Sequence, residues 1–203
     1  MLRELISHQI RNLFLLEPEE QQVLLELLPG ALSKTEFCFS FSANKYYRRD
    51  GKVFFSIYHS GQYCVFLYYL ARQIFIERPE QRTLADKVYF LNKTLNGIDL
   101  YYEVQMPNVF HLDHPLGTVL GRASYADGFT FSQHCTVGNN RGVFPVIGEN
   151  VTMYSGSKIL GRSRIGANVE IAANTMIKDT DIPADSIVFG ASPHLVIKPK
   201  KPS

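Results

Sequence analysis

The stretch "HLDHPLGTVLG", residues 111–121, sets two imidazoles, His111 and His114, on either side of Asp113. A neutral imidazole is the side chain best poised near pH 7 to take a proton from an alcohol, and imidazole and carboxylate together can also ligate zinc. Adjacent residues of a strand point to opposite sides, which hampers a chelate built from neighbours, so no metal is expected. By the same alternation Asp113 is expected on the other side of a strand from His114, where it would help shape a pocket for a bound molecule. A third imidazole, His134, lies in "FSQHCTVG". Type and spacing alone leave each histidine open as a base, a ligand or a packed core residue, and the backbone beneath them must decide.

That backbone changes character near residue 97. Before it, "EPEEQQVLLELL" and "GQYCVFLYYLARQIFIERPEQRTLADKVYFLNKTL" carry apolar residues three and four apart, the period of amphipathic helices. Pro79 within "RPEQ" predicts two helices joined there in place of one. The intervening "TEFCFSFSANKYYRRDGKVFFSIYHSG" mixes aromatic and β-branched residues around "RDG", and its state stays open. After residue 97 a different period takes over. Ile147, Met153, Ile159, Ile165, Ile171 and Ile177 recur every six residues, and Val151, Ser157, Ser163, Val169 and Thr175 sit four places after the first five. Tyr125, Phe131 and Val137 carry the period upstream, with Phe129 and Cys135 at the fourth place.

Helices repeat near 3.6 and strands at two, so a strict period of six predicts short strands separated by regular turns, stacked so that each first-place residue joins one interior column. The expected domains are a mainly helical 1–96 and a mainly β repeat array over 97–203. From Val137 to Ile147 the step is ten, six plus four, so "NNRGVFPV" predicts a protruding loop.

The bulk properties exclude several classes. A net charge of +2 gives no electrostatic footprint for nucleic acid, and the basic tail "KPKKPS" reads as a solvated end. The opening residues lack the uninterrupted apolar region of an export signal, and "YCVFLYYLA" is too short to span a bilayer. No membrane or nucleic-acid partner is expected. Cys38, Cys64 and Cys135 are an odd, widely spaced set, which suits reduced thiols and a cytoplasmic location.

The array resembles the hexapeptide-repeat acyltransferases, and the chain is most similar to their serine acetyltransferase branch, in which a helical N-terminal part precedes the repeats. Two motifs carry the likeness: "GID", supplying Asp99, and "DHPLGTVLG", supplying His114 fifteen residues later. The resemblance implies a left-handed parallel β-helix after an α-helical domain. It implies an acetyltransferase using acetyl-CoA, with His114 as general base and Asp99 fixing its tautomer. By the same likeness Asp50, in "RRDG", matches an acceptor-binding aspartate. His134 matches the place where sugar acetyltransferases of the wider superfamily keep their base, and so falls among the substrate-binding candidates. Gly138, Ser157 and Ala173 would let the pantetheine arm approach the backbone, and Lys178, Lys198 and Lys200 are cations that could attract the nucleotide phosphates. The branch assembles as trimers or paired trimers, so a homotrimer or dimer of trimers is expected.

One departure bears on the acceptor. Serine acetyltransferases carry Arg-His-Pro in the loop written here "NNRGVFPV"; this chain has Val143 and Phe144 before Pro145 in a shorter loop. Arg141 could stand in for the missing cation. A sugar or nucleotide-sugar acceptor therefore competes with serine, and a non-catalytic solenoid using its flat faces for protein contacts is the alternative of a different class.

Overall fold

The computed structural model describes residues 1–200; Lys201–Ser203 of the basic tail lie outside the described residues. The chain divides into two compact units, residues 1–103 and 104–203. The change of periodicity at residue 97 therefore precedes the division by a few residues.

The first unit is built of α1 (Leu2–Arg11), α2 (Pro18–Ser40), α3 (Ser60–Glu77) and α4 (Arg82–Asn96). Pro18 at the first helical position and a reciprocal capping box between Glu17 and Glu20 start α2. α3 is buried from Gly61 through Ala71 and packs against both α2 and α4, so it is the core of the unit, apolar all round as such a helix must be. It ends before Pro79, and α4 begins three residues later, the break that "RPEQ" predicts. The open stretch resolves into the last turn of α2, a short 3-10 turn, and a hairpin of β1 (Arg48–Arg49) and β2 (Lys52–Val53). The hairpin turns on Asp50 and Gly51, both at positive φ, as a two-residue hairpin of this hand requires. Gly97, at φ 65, ends α4 in the left-handed conformation and turns the chain into β3 (Asp99–Leu100).

The second unit is a solenoid of three-sided coils. β4 (Phe110–Leu112), β5 (Val119–Leu120) and β6 (Ser124–Tyr125) form one coil; β7 (Phe129–Phe131), β8 (Thr136–Gly138) and β9 (Val146–Ile147) the next. β10 (Thr152–Met153), β11 (Lys158–Leu160) and β12 (Arg164–Ile165) follow, then β13 (Glu170–Ile171) and β14 (Met176–Lys178). β15 (Ser186–Ala191) closes the stack, and β16 (His194–Pro199) folds back on it antiparallel. Pairing between coils is parallel and makes three faces: β4, β7, β10, β13 and β15; β5, β8, β11 and β14; β6, β9 and β12.

The first-place residues are the core. Ile147, Met153, Ile159, Ile165, Ile171 and Ile177 are at most 3% exposed, and the fourth-place Val151, Ser157, Ser163, Val169 and Thr175 at most 1%. Each such aliphatic side chain contributes about 1.5–3 kcal/mol of transfer free energy. At one corner Asn150 and Asn168 take positive φ, and each donates through Nδ2 to the side-chain oxygen of the next coil, Asn168 at 3.2 Å and Asp185 at 2.9 Å. The corner that forces a left-handed backbone thus uses its side chains to join coils. The fold class expected from the hexads, a helical segment followed by a parallel β-helix, is the one observed.

Candidate functional site

The site begins with a corner that is too long. Leu112 pairs with Phe131 and Leu120 with Val137, so the first coil spends eight residues where the second spends six. The two extra residues fall in "DHPLG". β4 therefore ends at Leu112, and Asp113 and His114 stand in the corner itself, both exposed, His114 at φ 52. Asp113 still makes a ladder bond, its N–H to Phe131 O at 3.0 Å, whereas His114 has left the strand, which corrects the expectation that the strand's pleat sets the direction of both. Among the described residues, nothing hydrogen-bonds the His114 ring. An imidazole left free on a protruding corner can receive a proton from a bound molecule.

His134 occupies the same corner one coil on. Its backbone N–H donates to Leu116 O at 2.9 Å, and its ring lies over Gly117, where a Cβ would stand 2.3 Å from His134 Nδ1. Gly117 is thus glycine for two reasons, its φ of +70 and the imidazole above it. His114 and His134 share one edge of the solenoid.

The loop foreseen in "NNRGVFPV" is present at the opposite end of the second face. Gly138 pairs with Leu160 and Val146 with Arg164, so eight residues replace four, an insertion of four. It is a two-residue hairpin. Asn140 and Val143 exchange backbone hydrogen bonds of 3.0 Å, while Arg141 and Gly142, at φ 53 and 81, make the turn. Arg141 stands exposed at the tip, and Val143 and Phe144 are exposed on the return, 44% and 42%. Asp179 anchors the loop from two coils on. It accepts from Arg162 N at 2.8 Å and Asn140 Nδ2 at 2.6 Å, and the Arg162 bond above all holds its carboxyl below the usual range. Sequence reading missed Asp179, because its partners are distant in the chain and meet only through stacking.

In the first unit, Asp50 is exposed at the hairpin tip. Asp99 is half-buried, and each of its oxygens is taken: Tyr89 Oη donates to Oδ1 and Lys93 Nζ to Oδ2, both at 2.7 Å. Burial pushes the Asp99 carboxyl up, but the Lys93 and Tyr89 hydrogen bonds outweigh it and hold the group below its ordinary 3.8. A lowered folded value stabilises above the unfolded one and is lost as pH falls through the folded one. Asp99→Asn is therefore expected to lower the melting temperature at pH 7, with the gap closing as acid is added below pH 3.8. Circular dichroism melts of both proteins across that window check it, and a gap that persists in acid rules the charge out as its source.

Of the positions implied for acetyl-CoA, Ala173 and Lys178 are exposed and Gly138 is half-buried. Ser157 is a correction. It is 0% exposed, lies 3.6 Å from Cys135 Sγ, and has both backbone groups bonded, N–H to Tyr154 O and C=O from Thr136 N–H. It packs the corner column and offers no backbone to a ligand. Lys198 lies over the Phe189 ring and Lys200 pairs with Glu170 at 2.8 Å, so neither is a free cation. Cys38, Cys64 and Cys135 are buried and form no disulfide, and burial pushes the Cys64 thiol up to about 12, against a smaller lowering by Asn92. Among the described residues no three histidine, cysteine or acidic side chains gather as a metal site, and no helix is long and apolar enough to cross a membrane.

Residues 144–179 match the family described as bacterial transferase hexapeptide (six repeats). Over those residues the chain is similar to that family, and its hexads stack in the parallel β-helix fold. Over a longer stretch it is similar to the serine acetyltransferases. The serine acetyltransferase of Staphylococcus xylosus is 29% identical over 143 residues, 68% of this chain and 65% of that protein; the one from Staphylococcus aureus strain Mu50 is 27% identical over 68% and 66%. The chain therefore spans about two thirds of the length of the curated relatives it matches. Among solved structures, Neisseria gonorrhoeae serine acetyltransferase superposes with a TM-score of 0.71 at 18% identity, covering 90% of this chain and 72% of that one. A serine acetyltransferase in complex with CoA gives 0.69 at 18%, covering 89% and 74%.

Proposed function

We propose that the chain is an acetyl-CoA-dependent acetyltransferase that acylates a hydroxyl of a small acceptor, with His114 as general base. The observation that carries the reading is the free, exposed imidazole on the expanded "DHPLG" corner of a hexapeptide array. The relatives named serine acetyltransferase, and the solved one holding CoA, support the donor. In the reaction the acceptor hydroxyl gives its proton to His114 as its oxygen bonds to the thioester carbonyl carbon. The carbon–sulfur bond then breaks, and the imidazolium returns the proton to the departing sulfur, leaving CoA thiol and an acetyl ester. From the fifteen-residue spacing and the "GID" motif Asp99 is assigned to fix the His114 tautomer, a role for which it would have to exchange its Tyr89 or Lys93 hydrogen bond for one to the imidazole, and Asp50 is assigned as an acceptor ligand from the same resemblance. Asp113, beside the base in the corner, binds the acceptor. Ala173, Gly138 and Lys178 remain the donor-side candidates. The assembly is a homotrimer or a pair of trimers in the cytoplasm. A second copy is the way Arg141, at the far end of the second face, would reach a base.

A second reading makes the acceptor a sugar hydroxyl or amine. Val143 and Phe144 stand exposed where the serine branch keeps Arg and His, and the outward residues beside the base on the first face, His111, Thr130, Thr152 and Glu170, include no cation to hold a carboxylate. L-serine, nucleotide sugars and simple glycosides are to be screened with acetyl-CoA, reading released thiol. Serine is expected to be poor beside the best sugar. Serine turnover equal to any sugar would sink the sugar reading, and no thiol released with any acceptor would leave the non-catalytic solenoid.

A further inference from the structure

The pleat of β4 sends Phe110 and Leu112 into the core and His111 outward, in register with Thr130 of the next coil. The outward ring is nevertheless half-buried, and its Nδ1 has neither solvent nor a hydrogen-bond partner. A buried nitrogen without a partner is either a bare N–H or a bare lone pair. Orphaned N–H groups are the rarer and costlier of the two, and a charged ring would add the cost of desolvating its charge. The ring is therefore neutral, with the lone pair on Nδ1 and the hydrogen on Nε2, the nitrogen left to face outward. Burial, against a smaller opposing pull from Asp113, holds His111 below the usual histidine range, in keeping with a neutral ring. Asp113, two residues on, donates its own N–H to Phe131 O at 3.0 Å, so the ladder continues past β4 and Asp113 leaves on the same side as His111. A fixed donor and a carboxylate acceptor thus stand about 7 Å apart along one edge, with His114 next in the chain.

We propose that His111 determines acceptor specificity by donating its Nε2–H to an oxygen of the acceptor, while Asp113 accepts from a hydroxyl or ammonium group of the same molecule. The proposal rests on the acetyl-transfer reading and names the chemistry it needs, a small molecule with an oxygen acceptor and a donor group close together. A polyol and an amino acid both have it.

The full-length chain labelled with 15N-histidine provides the test. At pH 7 His111 is expected as the Nε2–H tautomer, and its Nε2 signal is expected to shift with L-serine or with methyl β-D-glucopyranoside, whichever supports thiol release. His111→Leu is expected to raise the acceptor KM by ~10–100-fold, with the acetyl-CoA KM unchanged and the melting temperature not lowered, since it removes an unmet nitrogen. His111→Gln, whose amide nitrogen sits near the place of Nε2, is expected to restore most of the acceptor affinity. The Nδ1–H tautomer, or a wild-type acceptor KM in His111→Leu, overturns the proposal. Should the wild-type chain release no thiol, the transfer reading falls. An Nε2 signal moved by serine or the glucoside then still supports His111 as a ligand, and one moved by neither overturns it.

Discussion

His114→Ala is expected to lower turnover by on the order of 10²–10⁴ while acetyl-CoA affinity stays near wild type. In the proposed reaction the base acts on the proton of the acceptor in the transition state, so its loss would appear in kcat and in kcat/KM and leave the binding of the donor alone. The geometry favours a clean experiment. His114 is exposed and its ring carries no hydrogen bond among the described residues, so its truncation removes little packing. Asp99→Asn is expected to cost less. If Asp99 orients the base, as proposed, the double variant is expected to lose far less than the product of the two, because the pair would then act as one unit. His134→Ala is the control, since His134 occupies the same edge one coil on. Steady-state kinetics on the four proteins decide. If His134→Ala abolishes transfer and His114→Ala retains more than half, the base is His134 and the sugar-acetyltransferase assignment replaces the serine one.

The second large effect concerns the array. Ile159 is 0% exposed and stands in the column between Val137 and Ile177, its register partners above and below. A coil is held by its neighbours alone, so a gap there cannot be repaired from elsewhere in the solenoid. Ile159→Ala is expected to cost about 2–5 kcal/mol, the usual range for emptying a packed aliphatic site. Val146, 47% exposed on β9, is the comparison, and Val146→Ala is expected to stay within about 0.5 kcal/mol. Urea unfolding followed by circular dichroism checks both. Equal midpoint shifts would mean that the hexad column is not what holds the coils together.

The columns were readable because a hexad repeats its burial at fixed intervals: every first-place residue from Ile147 to Ile177 is buried where the period puts it. The loop was readable for the same reason, since a step of ten in a period of six must bulge. What escaped is where the period is broken before it is established. The corner at Asp113 and His114 has two extra residues in the first coil, and with no earlier coil to count from, Leu112 to Leu120 did not register as a step of eight. The partners of Asp99 escaped for another reason. Tyr89 and Lys93 meet it only because Gly97 turns the chain back along α4, a geometry with no signature in composition. Ser157 misled because serine at the fourth hexad place looks like an access point and in fact fills the corner.

A stack of parallel coils has a problem at its last rung: the end presents a row of unmet backbone groups to which the first rung of another molecule could be added, and another after that. The antiparallel return of β16 on β15 prevents this. From Ser186 to Ala191 the last strand is paired along its length by residues running the other way, from Pro199 to His194. The new outer edge is no template for a parallel rung, carries Pro199 with no N–H to give, and keeps Lys198 and Lys200 beside it. Filaments are the hazard of any one-dimensional fold, and here the return of His194–Pro199 covers that edge of β15.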